Sequence, residues 1–305
     1  MPTLKPARPG VYHARQMSQP PVSAHRPYLV FIRAGAESLH TRLLDENPHR
    51  NWDCCVSWYV PPIPEQRAEY YSAGGFNKLD GFLEFWKQRP QPWPWRYVAV
   101  LDDDVYLRPG DLSRFFQLCE QYGTYLSQPS LNWFTHTTIN VLVRNPACLM
   151  RRLSFVEVMA PCFSSAALLE LLPTFDWTRS TWGTDIAWGC LLEGRHPVHV
   201  VDAVSMDHTR TGDGRPTAFY RKLSAMGVDP AQELRSIRAR FPGFGGQRML
   251  KEGHIYRPGL PPALGPALLL LFEKLKFIVR VRKQVLRKVR AWRAAAQDRW
   301  RGVTP

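Results

Sequence analysis

Short apolar runs bounded by turn-forming residues fill the first part of the chain, and they predict buried strands. Residues 28–32 form the first run, and residues 52–60 form a second one that ends in a cluster of prolines. A third run, residues 97–107, has prolines before it and Pro109-Gly110 after it. Runs of this length between Gly and Pro punctuation are typical of strands buried on both faces.

Helical spacing appears between these runs. Apolar residues recur at Leu79, Phe82, Leu83 and Trp86, and a shorter helix is predicted over residues 36–45. An alternation of strands and helices predicts an α/β fold in which a mixed, mostly parallel sheet is flanked by helices.

The pattern is looser after a helix predicted near residues 111–122. Strands are predicted at 124–127, 138–143, 155–159 and 198–201, and helices at 164–172, 185–192 and 216–240. The chain is accordingly divided into a flexible N-terminal arm over residues 1–26, a catalytic domain over 27–250 and a helical segment over 251–305.

Three consecutive carboxylates, Asp102, Asp103 and Asp104, interrupt the third apolar run. Ligands of parallel sheets bind at the carboxyl ends of strands, which favours a functional site over the alternative, a solvated turn. Alternation along an extended chain would point Asp102 and Asp104 the same way and Asp103 the other way. Two converging carboxylates repel each other without a cation between them, so we expect a divalent ion that also binds nucleotide phosphates.

Three later residues are candidates for the same site. His208 follows a predicted strand and is an acceptable further ligand for Mn²⁺ or Mg²⁺, although a lone His is often structural. Asp185 follows Trp182-Gly183 at a predicted helix start, where the alternative role is an N-cap. Glu157 stands in a very apolar segment, and a buried Glu needs a partner, a raised pKa or a ligand.

Two cations and two aromatic residues complete the set of candidates. Arg33 or Lys78 would contact a phosphate, and the alternative is that both are solvated surface charges. Trp133 and Trp182 would stack on a sugar or a base, and the alternative is that they belong to the core.

Taken in order over about residues 28–210, these segments resemble the domain-of-unknown-function 707 family. The segments that carry the resemblance are Arg33-Ala34-Gly35 with Ser38-Leu39-His40, the acidic strand, Ser127-Gln128-Pro129, Val156-Glu157-Val158-Met159-Ala160-Pro161 with Phe163-Ser164, Trp182-Gly183-Thr184-Asp185, and Val201-Asp202-Ala203 with His208. The arrangement is also similar to metal-dependent GT-A glycosyltransferases, in which an Asp-x-Asp at a strand end binds a metal bridging the nucleotide-sugar diphosphate. The resemblance thus implies a GT-A-like (Rossmann-like) fold.

The resemblance also implies roles for particular residues. Asp102, Asp104 and His208 would hold Mn²⁺ or Mg²⁺. Asp185 would be the catalytic base, although the chain lacks the doubled acids often seen after the Trp-Gly turn. Apart from the resemblance, we expect Arg33, Lys78, Asp102 and Asp103 to contact the nucleotide-sugar donor; Asp103 would meet its ribose or, alternatively, a structural partner.

The implied activity is an inverting transfer of sugar to a glycan or lipid-linked acceptor, in polysaccharide or lipopolysaccharide synthesis. The alternatives are a metal-dependent phosphotransferase or hydrolase that uses the same acids, and a non-catalytic membrane-associated scaffold.

Charge changes this picture only at the C-terminal end. The 305 residues carry a net charge of +14, but residues 274–301 hold eleven Lys and Arg against one Asp, an excess of ten. The rest of the chain carries only +4, so the total is weak support for a specific nucleic-acid partner. The six cysteines show no CxxC pair, no segment is apolar for long enough to span a membrane, and no signal peptide is evident. We therefore expect a cytoplasmic protein with free thiols.

The basic segment has helical periodicity. Its apolar residues recur at Leu275, Ile278, Val279, Val285, Leu286, Val289 and Trp292, with Lys and Arg on the other face. A basic amphipathic helix of this kind lies in the plane of an anionic membrane surface, which predicts a peripheral protein on the cytoplasmic face of the membrane. The alternatives are packing against the catalytic body and binding of nucleic acid.

Overall fold

The structure is a computed structural model, and it describes residues 25–59, 67–89, 93–135, 137, 139–210 and 218–301. In the last of these ranges the side chains of residues 218, 280, 283–288 and 290–301 are not described.

Ten strands and eight α-helices are present in these residues. The strands are β1 (Tyr28–Ala34), β2 (Trp52–Trp58), β3 (Tyr70–Ala73), β4 (Tyr97–Asp102), β5 (Val105–Leu107), β6 (Leu126–Leu131), β7 (Cys148–Leu153), β8 (Cys162–Ser164), β9 (Val198–His208) and β10 (Ile255–Tyr256). The helices are α1 (His40–Asp45), α2 (Lys78–Lys87), α3 (Asp111–Gln121), α4 (Ser165–Leu171), α5 (Thr184–Leu192), α6 (Ala218–Ala225), α7 (Pro230–Arg240) and α8 (Leu264–Arg301).

All ten strands belong to one mixed sheet, in the order β10-β7-β9-β6-β8-β4-β1-β2-β3, with β5 paired to β9. The strands β3, β2, β1 and β4 form a wholly parallel half. Beyond β4 the sheet is mixed, because β8 runs antiparallel to both β4 and β6, β9 runs parallel to β6, and β7 runs antiparallel to β9. The predicted α/β class with a mixed sheet flanked by helices is confirmed, and three of the four strands of its parallel half, β1, β2 and β4, come from the three apolar runs.

Both faces of the parallel half are covered, which explains why its strands have continuous apolar runs. In β1, Val30 and Ile32 face a hydrophobic cluster that includes side chains of α1 and α3. Leu29 and Phe31 face the opposite cluster, which includes side chains of α2, α4 and α5. Burial on both faces leaves the strand ends as the places where polar groups reach solvent.

Several predicted elements differ from the observed ones. Residues 155–159 are not a strand but a largely buried loop, because the Glu157 N–H donates to the side chain of Gln128 in β6 rather than to the backbone of that strand. The strand predicted over 138–143 is replaced by a short 3₁₀ turn, Asn140–Leu142. The helix predicted over 216–240 is interrupted near Gly227, whose φ of 69° lies in the left-handed region that favours glycine. The strands β3, β5, β7, β8 and β10 were not predicted as separate elements.

Candidate functional site

The acidic triplet lies where β4 ends and the chain turns into β5. Asp102 is the last residue of β4, and Asp103 and Asp104 form the turn. Because the strand ends at Asp102, the alternation of an extended chain does not continue through the turn. The three carboxylates therefore have different partners.

Asp104 pairs with His208, which is more than one hundred residues away in the sequence. The Oδ2 atom of Asp104 lies 3.1 Å from Nε2 of His208. Strand pairing brings Asp104 and His208 together, because β5 runs antiparallel to β9 and places Val105, the residue after Asp104, opposite His208. The backbone N–H of His208 donates to the hydroxyl of Thr135 at 2.8 Å, which fixes the end of the strand.

The charges of this pair stabilise each other. Burial raises the pKa of Asp104, but the hydrogen bond and charge of His208 and the charge of Arg210 outweigh it and hold that pKa below its ordinary value. The hydrogen bond with Asp104 raises the pKa of His208, while burial lowers it. Asp104 is therefore an anion near neutral pH, with an imidazole nitrogen beside it.

Asp103 is buried and accepts hydrogen bonds from three groups. They are the backbone N–H of Gly35 at 3.0 Å, the hydroxyl of Tyr59 at 3.1 Å and the guanidinium of Arg210 at 2.9 Å. Arg210 also donates to the carbonyl of Glu37 at 2.6 Å. Asp103 thus connects the loop after β1 to the segment after β9. Its predicted contact with a nucleotide-sugar donor remains a prediction.

Lys78 occupies the space beside Asp102. Its Nζ lies 2.7 Å from Oδ1 of Asp102 and donates to the carbonyls of Val158 at 2.6 Å and Met159 at 2.9 Å. Lys78 begins α2, whose N-cap Asn77 accepts a hydrogen bond from the Asp80 N–H. The three contacts match the donor capacity of an ammonium group. Lys78 thus fastens the loop of residues 155–161, which lies between β7 and β8, to the end of β4.

Asp102 remains open to solvent on one side, with 41% of its side chain exposed. Desolvation by the surrounding protein raises its pKa, Lys78 lowers it, and the neighbouring charges of Asp104 and Asp103 raise it again. The carboxylate is therefore both reachable and sensitive to any cation that approaches the turn.

Arg33 is buried beside the site and makes internal contacts. Its guanidinium donates to the hydroxyl of Ser57 at 2.8 Å and to the carbonyls of Gly74 and Gly75. Burial lowers its pKa to about 10, against the raising effects of Asp80 and Tyr59. Arg33 thus holds the glycine turn before α2, and the predicted phosphate contact is still untested.

The carboxyl group of Glu157 interacts electrostatically with the charged side chains of the acidic turn. Burial raises the pKa of Glu157 to about 7; Asp185 and Asp102 raise it further, while His208 and Lys78 lower it. The Oε2 atom of Glu157 is buried and has no hydrogen-bond partner in the described part of the chain. Such an atom is costly to leave charged, which agrees with the raised pKa.

Asp185 lies in the first turn of α5. The N-cap of this helix is Gly183, with φ of 86°, so Asp185 does not have the capping role considered from the sequence. Its Oδ1 accepts the Ile186 N–H at 2.9 Å. Burial raises the pKa of Asp185 to about 6, although this hydrogen bond and Arg238 lower it. The group is thus ionised at neutral pH and able to accept a proton.

The two candidate tryptophans lie in different surroundings. Trp182 is 40% exposed, and its Nε1–H donates to the hydroxyl of Tyr220 at 3.0 Å. Trp133 donates to the carbonyl of Arg144 and packs edge-on against Phe272 of α8. Trp182, three residues before Asp185, is therefore the better placed of the two to meet a ligand.

We expect Glu157→Gln to change how stability depends on pH. The pKa of Glu157 is raised from 4.5 to about 7, so its contribution to stability is present below pH ~4.5 and is lost as pH rises through about 7. The wild type should lose up to about 3 kcal/mol of unfolding free energy across this window relative to the variant. Urea unfolding at a series of pH values measures it.

The matched control is Glu84→Gln, because the Glu84 side chain is 43% exposed and pairs with Lys87 at the surface. It should follow the wild-type pH profile. Identical profiles for wild type and Glu157→Gln would show that the carboxyl group of Glu157 titrates normally.

The donor set suits a divalent metal only in part. Among the described residues no group of three or more His, Cys, Asp and Glu side chains is arranged to hold a metal ion. Asp104 and His208 nevertheless offer an oxygen and a nitrogen donor side by side, and Mg²⁺ is often bound by one or two carboxylates plus substrate phosphates. Asp104 and His208 therefore fit a metal that substrate helps to hold, whereas the role of Asp102 remains a prediction.

Sequence reasoning missed Arg210 and Tyr59. The position of Arg210 two residues after His208 is a signal that could have been used, whereas nothing local marks Tyr59. The sequence did identify the acidic triplet, Lys78, Asp185 and His208. The structure brings these residues to the same end of the sheet or into mutual electrostatic contact.

Comparison with known proteins adds little to this picture. No family model matches the chain, and no curated protein matches it. Membership of the domain-of-unknown-function 707 family therefore remains a prediction.

Among solved structures, the chain is similar to the crystal structure of GalNAc-T7 with UDP, GalNAc and Mn²⁺. The two share 8% sequence identity and a TM-score of 0.49; the similarity covers 71% of this chain and 48% of the other. The chain thus spans about half the length of that protein. At this TM-score the likeness carries no argument about activity.

Proposed function

We propose that the chain is a metal-dependent glycosyltransferase that moves a sugar from a nucleotide-sugar donor to a glycan or lipid-linked acceptor. The observation that carries the proposal is the Asp104–His208 pair, held at 3.1 Å where the parallel half of the sheet ends. Open α/β sheets bind ligands at this position. We place the reaction in cell-surface polysaccharide or lipopolysaccharide synthesis, as the family resemblance implies.

The donor diphosphate would lie beside the acidic turn. Asp104 and His208, with Asp102 as a further candidate, would hold Mn²⁺ or Mg²⁺, which when bound neutralises the charge on the diphosphate leaving group. Arg210 keeps Asp103 paired, and its charge also stabilises the Asp104 carboxylate. Lys78 keeps the 155–161 loop in place, so the carboxylates are oriented before substrate arrives.

Asp185 is the base in this proposal. Its pKa of about 6 leaves it ionised at neutral pH but still basic enough to take the proton from an acceptor hydroxyl. Glu157, whose pKa is raised to about 7, can stay protonated while Asp185 is ionised. This limits the repulsion between the carboxyl groups of Glu157 and Asp185. One base acting on the acceptor is the arrangement of a single displacement, so we propose inversion at the anomeric carbon.

Calorimetry with UDP and GDP, each with and without Mn²⁺, tests the proposal directly. We expect one nucleotide to bind only when the metal is present, and a panel of nucleotide sugars should then show slow metal-dependent hydrolysis of the matching donor. Absence of metal-dependent binding for both nucleotides would refute this function.

Asp185→Asn separates catalysis from binding. The amide keeps the size of the side chain but cannot take a proton, so kcat should fall by about 10²-fold or more. The affinity for nucleotide plus Mn²⁺ should stay within about two-fold, because the base does not contact the diphosphate in this scheme. The matched control is Asp176→Asn, an exposed acid for which normal kinetics are expected. Unchanged kcat in Asp185→Asn would remove Asp185 from the mechanism.

A further inference from the structure

The first half of α8 exposes a large apolar surface, which we call the outer face. Its members are Leu264, Leu270, Leu271, Leu275, Phe277, Ile278 and Val281, each between 37% and 64% exposed. At 100° per residue these positions fall within about half of the helix circumference. Single exposed apolar residues are ordinary, but a contiguous group of seven on one helix marks an interaction surface.

The outer face cannot be buried by rolling the helix onto the body, because the opposite side is already docked. Leu269 is buried against Ala147 and Cys148, with Leu268 and Phe272 packed at the edge of the same cluster.

Polar contacts fix the same docked side. Lys276 is 2% exposed and lies 2.6 Å from Glu273, and Glu273 also accepts from Asn145 at 2.8 Å and from Arg151 at 3.2 Å. A buried ammonium that is paired with a carboxylate is costly to expose or separate. The rotation of α8, and therefore the direction of its outer face, is set by the body.

Charge distinguishes the possible occupants of the outer face. Lys274 lies in the middle of the apolar arc and is exposed, and Arg282 follows at its margin. The excess of ten positive charges over residues 274–301 belongs to the same helix. Two copies meeting through this face would bring two such arrays together, whereas an anionic lipid surface would neutralise them.

We propose that the outer face of α8 docks in the interface of an anionic lipid bilayer, with Leu270, Phe277 and Ile278 among the inserted side chains. Long cations such as Lys274 can lie along the apolar surface while their ammonium groups reach the lipid phosphates. No helix in the described part of the chain is long and apolar enough to cross a membrane. The proposed attachment is peripheral and on the cytoplasmic leaflet, as the sequence predicts.

This inference stands apart from the proposed sugar transfer. Where both hold, the lipid-linked acceptor is favoured over the soluble glycan, because the enzyme and such an acceptor would share one surface. Failure of membrane binding would leave the nucleotide-binding result unaffected, so the two proposals fail independently.

Sedimentation of the full chain with phosphatidylcholine vesicles, with and without phosphatidylserine, tests the docking. We expect binding only to the vesicles that contain phosphatidylserine. The double variant Phe277→Ser/Ile278→Ser should weaken that binding by about 100-fold, since each side chain loses most of its transfer free energy. Both side chains are exposed, at 64% and 59%, so the fold should be retained, as circular dichroism melting would show.

The matched control is Leu169→Ser/Met226→Ser, which removes two similarly exposed apolar side chains, at 60% and 55%, from other elements. It should bind vesicles within about two-fold of wild type. Equal losses in the two double variants, or equal binding to vesicles with and without phosphatidylserine, would overturn the proposal. A wild-type dimer that the Phe277→Ser/Ile278→Ser change converts to a monomer, with no vesicle binding, would overturn it in favour of a second copy.

Removal of α8 would be a weaker test. Deletion from residue 263 also removes Leu269, Glu273 and Lys276, which pack against the rest of the protein. A loss of vesicle binding could then not be distinguished from a loss of folding stability.

Discussion

Asp104→Asn is expected to abolish metal-dependent nucleotide binding and to lower transfer activity by about 10³-fold or more. The amide keeps the shape of the side chain but removes the charge that pairs with His208 and that a divalent ion requires. The measurements are calorimetry with the nucleotide that binds wild type in the presence of Mn²⁺, and initial rates with its sugar conjugate.

The control for Asp104 is Asp45→Asn. The Asp45 side chain is 54% exposed and pairs with Arg67 at the surface. This variant should bind nucleotide and metal like wild type. Retention of metal-dependent binding by Asp104→Asn would separate the acidic turn from the metal and contradict the proposed function.

His208→Ala tests the same pair from the other side. If Asp104 and His208 act together on one ion, the double variant should lose little more nucleotide affinity than either single variant. Additive losses would instead show that the two side chains act on different groups.

Asp202→Ala is expected to lower the free energy of unfolding by about 3–5 kcal/mol. Asp202 and Arg151 are both fully buried and form a two-pronged pair, with Nε to Oδ2 at 2.6 Å and Nη2 to Oδ1 at 3.0 Å. Removal of the carboxylate leaves a buried guanidinium whose remaining anionic partner, Glu273, lies 3.2 Å away. Urea unfolding at pH 7 measures the loss.

The control for this stability change is Arg235→Ala, which removes an ion pair whose two side chains are 68% and 52% exposed. Exposed pairs of this kind contribute about 0–1 kcal/mol, so little change is expected. A loss for Asp202→Ala as small as that of Arg235→Ala would mean that water reaches the Arg151 guanidinium when its partner is removed.

The parallel half of the sheet could be predicted from local pattern. In β1, β2 and β4 the apolar runs are continuous because both sheet faces are covered, and turn residues bound each run. The acidic triplet was predicted at the functional edge for the same reason, since the apolar residues before it were interpreted as a buried strand with the acids at its carboxyl end. Helix α2 followed from the spacing of Leu79, Phe82 and Leu83.

The second half of the sheet could not be read in this way. Strand β8 has only three residues, and both β7 and β8 pair with strands distant in sequence, so no local periodicity distinguishes them from loops. Residues 155–159 were mistaken for a strand because burial by side chains and loops gives the same apolar composition as burial within a sheet. What differs is the hydrogen-bond partner of Glu157, which composition does not reveal.

By itself, the sequence determined which residue types reach the site and which end of the chain carries the charge. Apolar periodicity and turn residues act over a few positions, so they specify β4, its terminal acids and the basic helix. Only the tertiary structure decided which acid meets His208, that Arg210 and Tyr59 bond Asp103, and that Lys78 pairs with Asp102. It also decided which side of α8 is docked and which is exposed, because these outcomes depend on strand register and packing between distant residues.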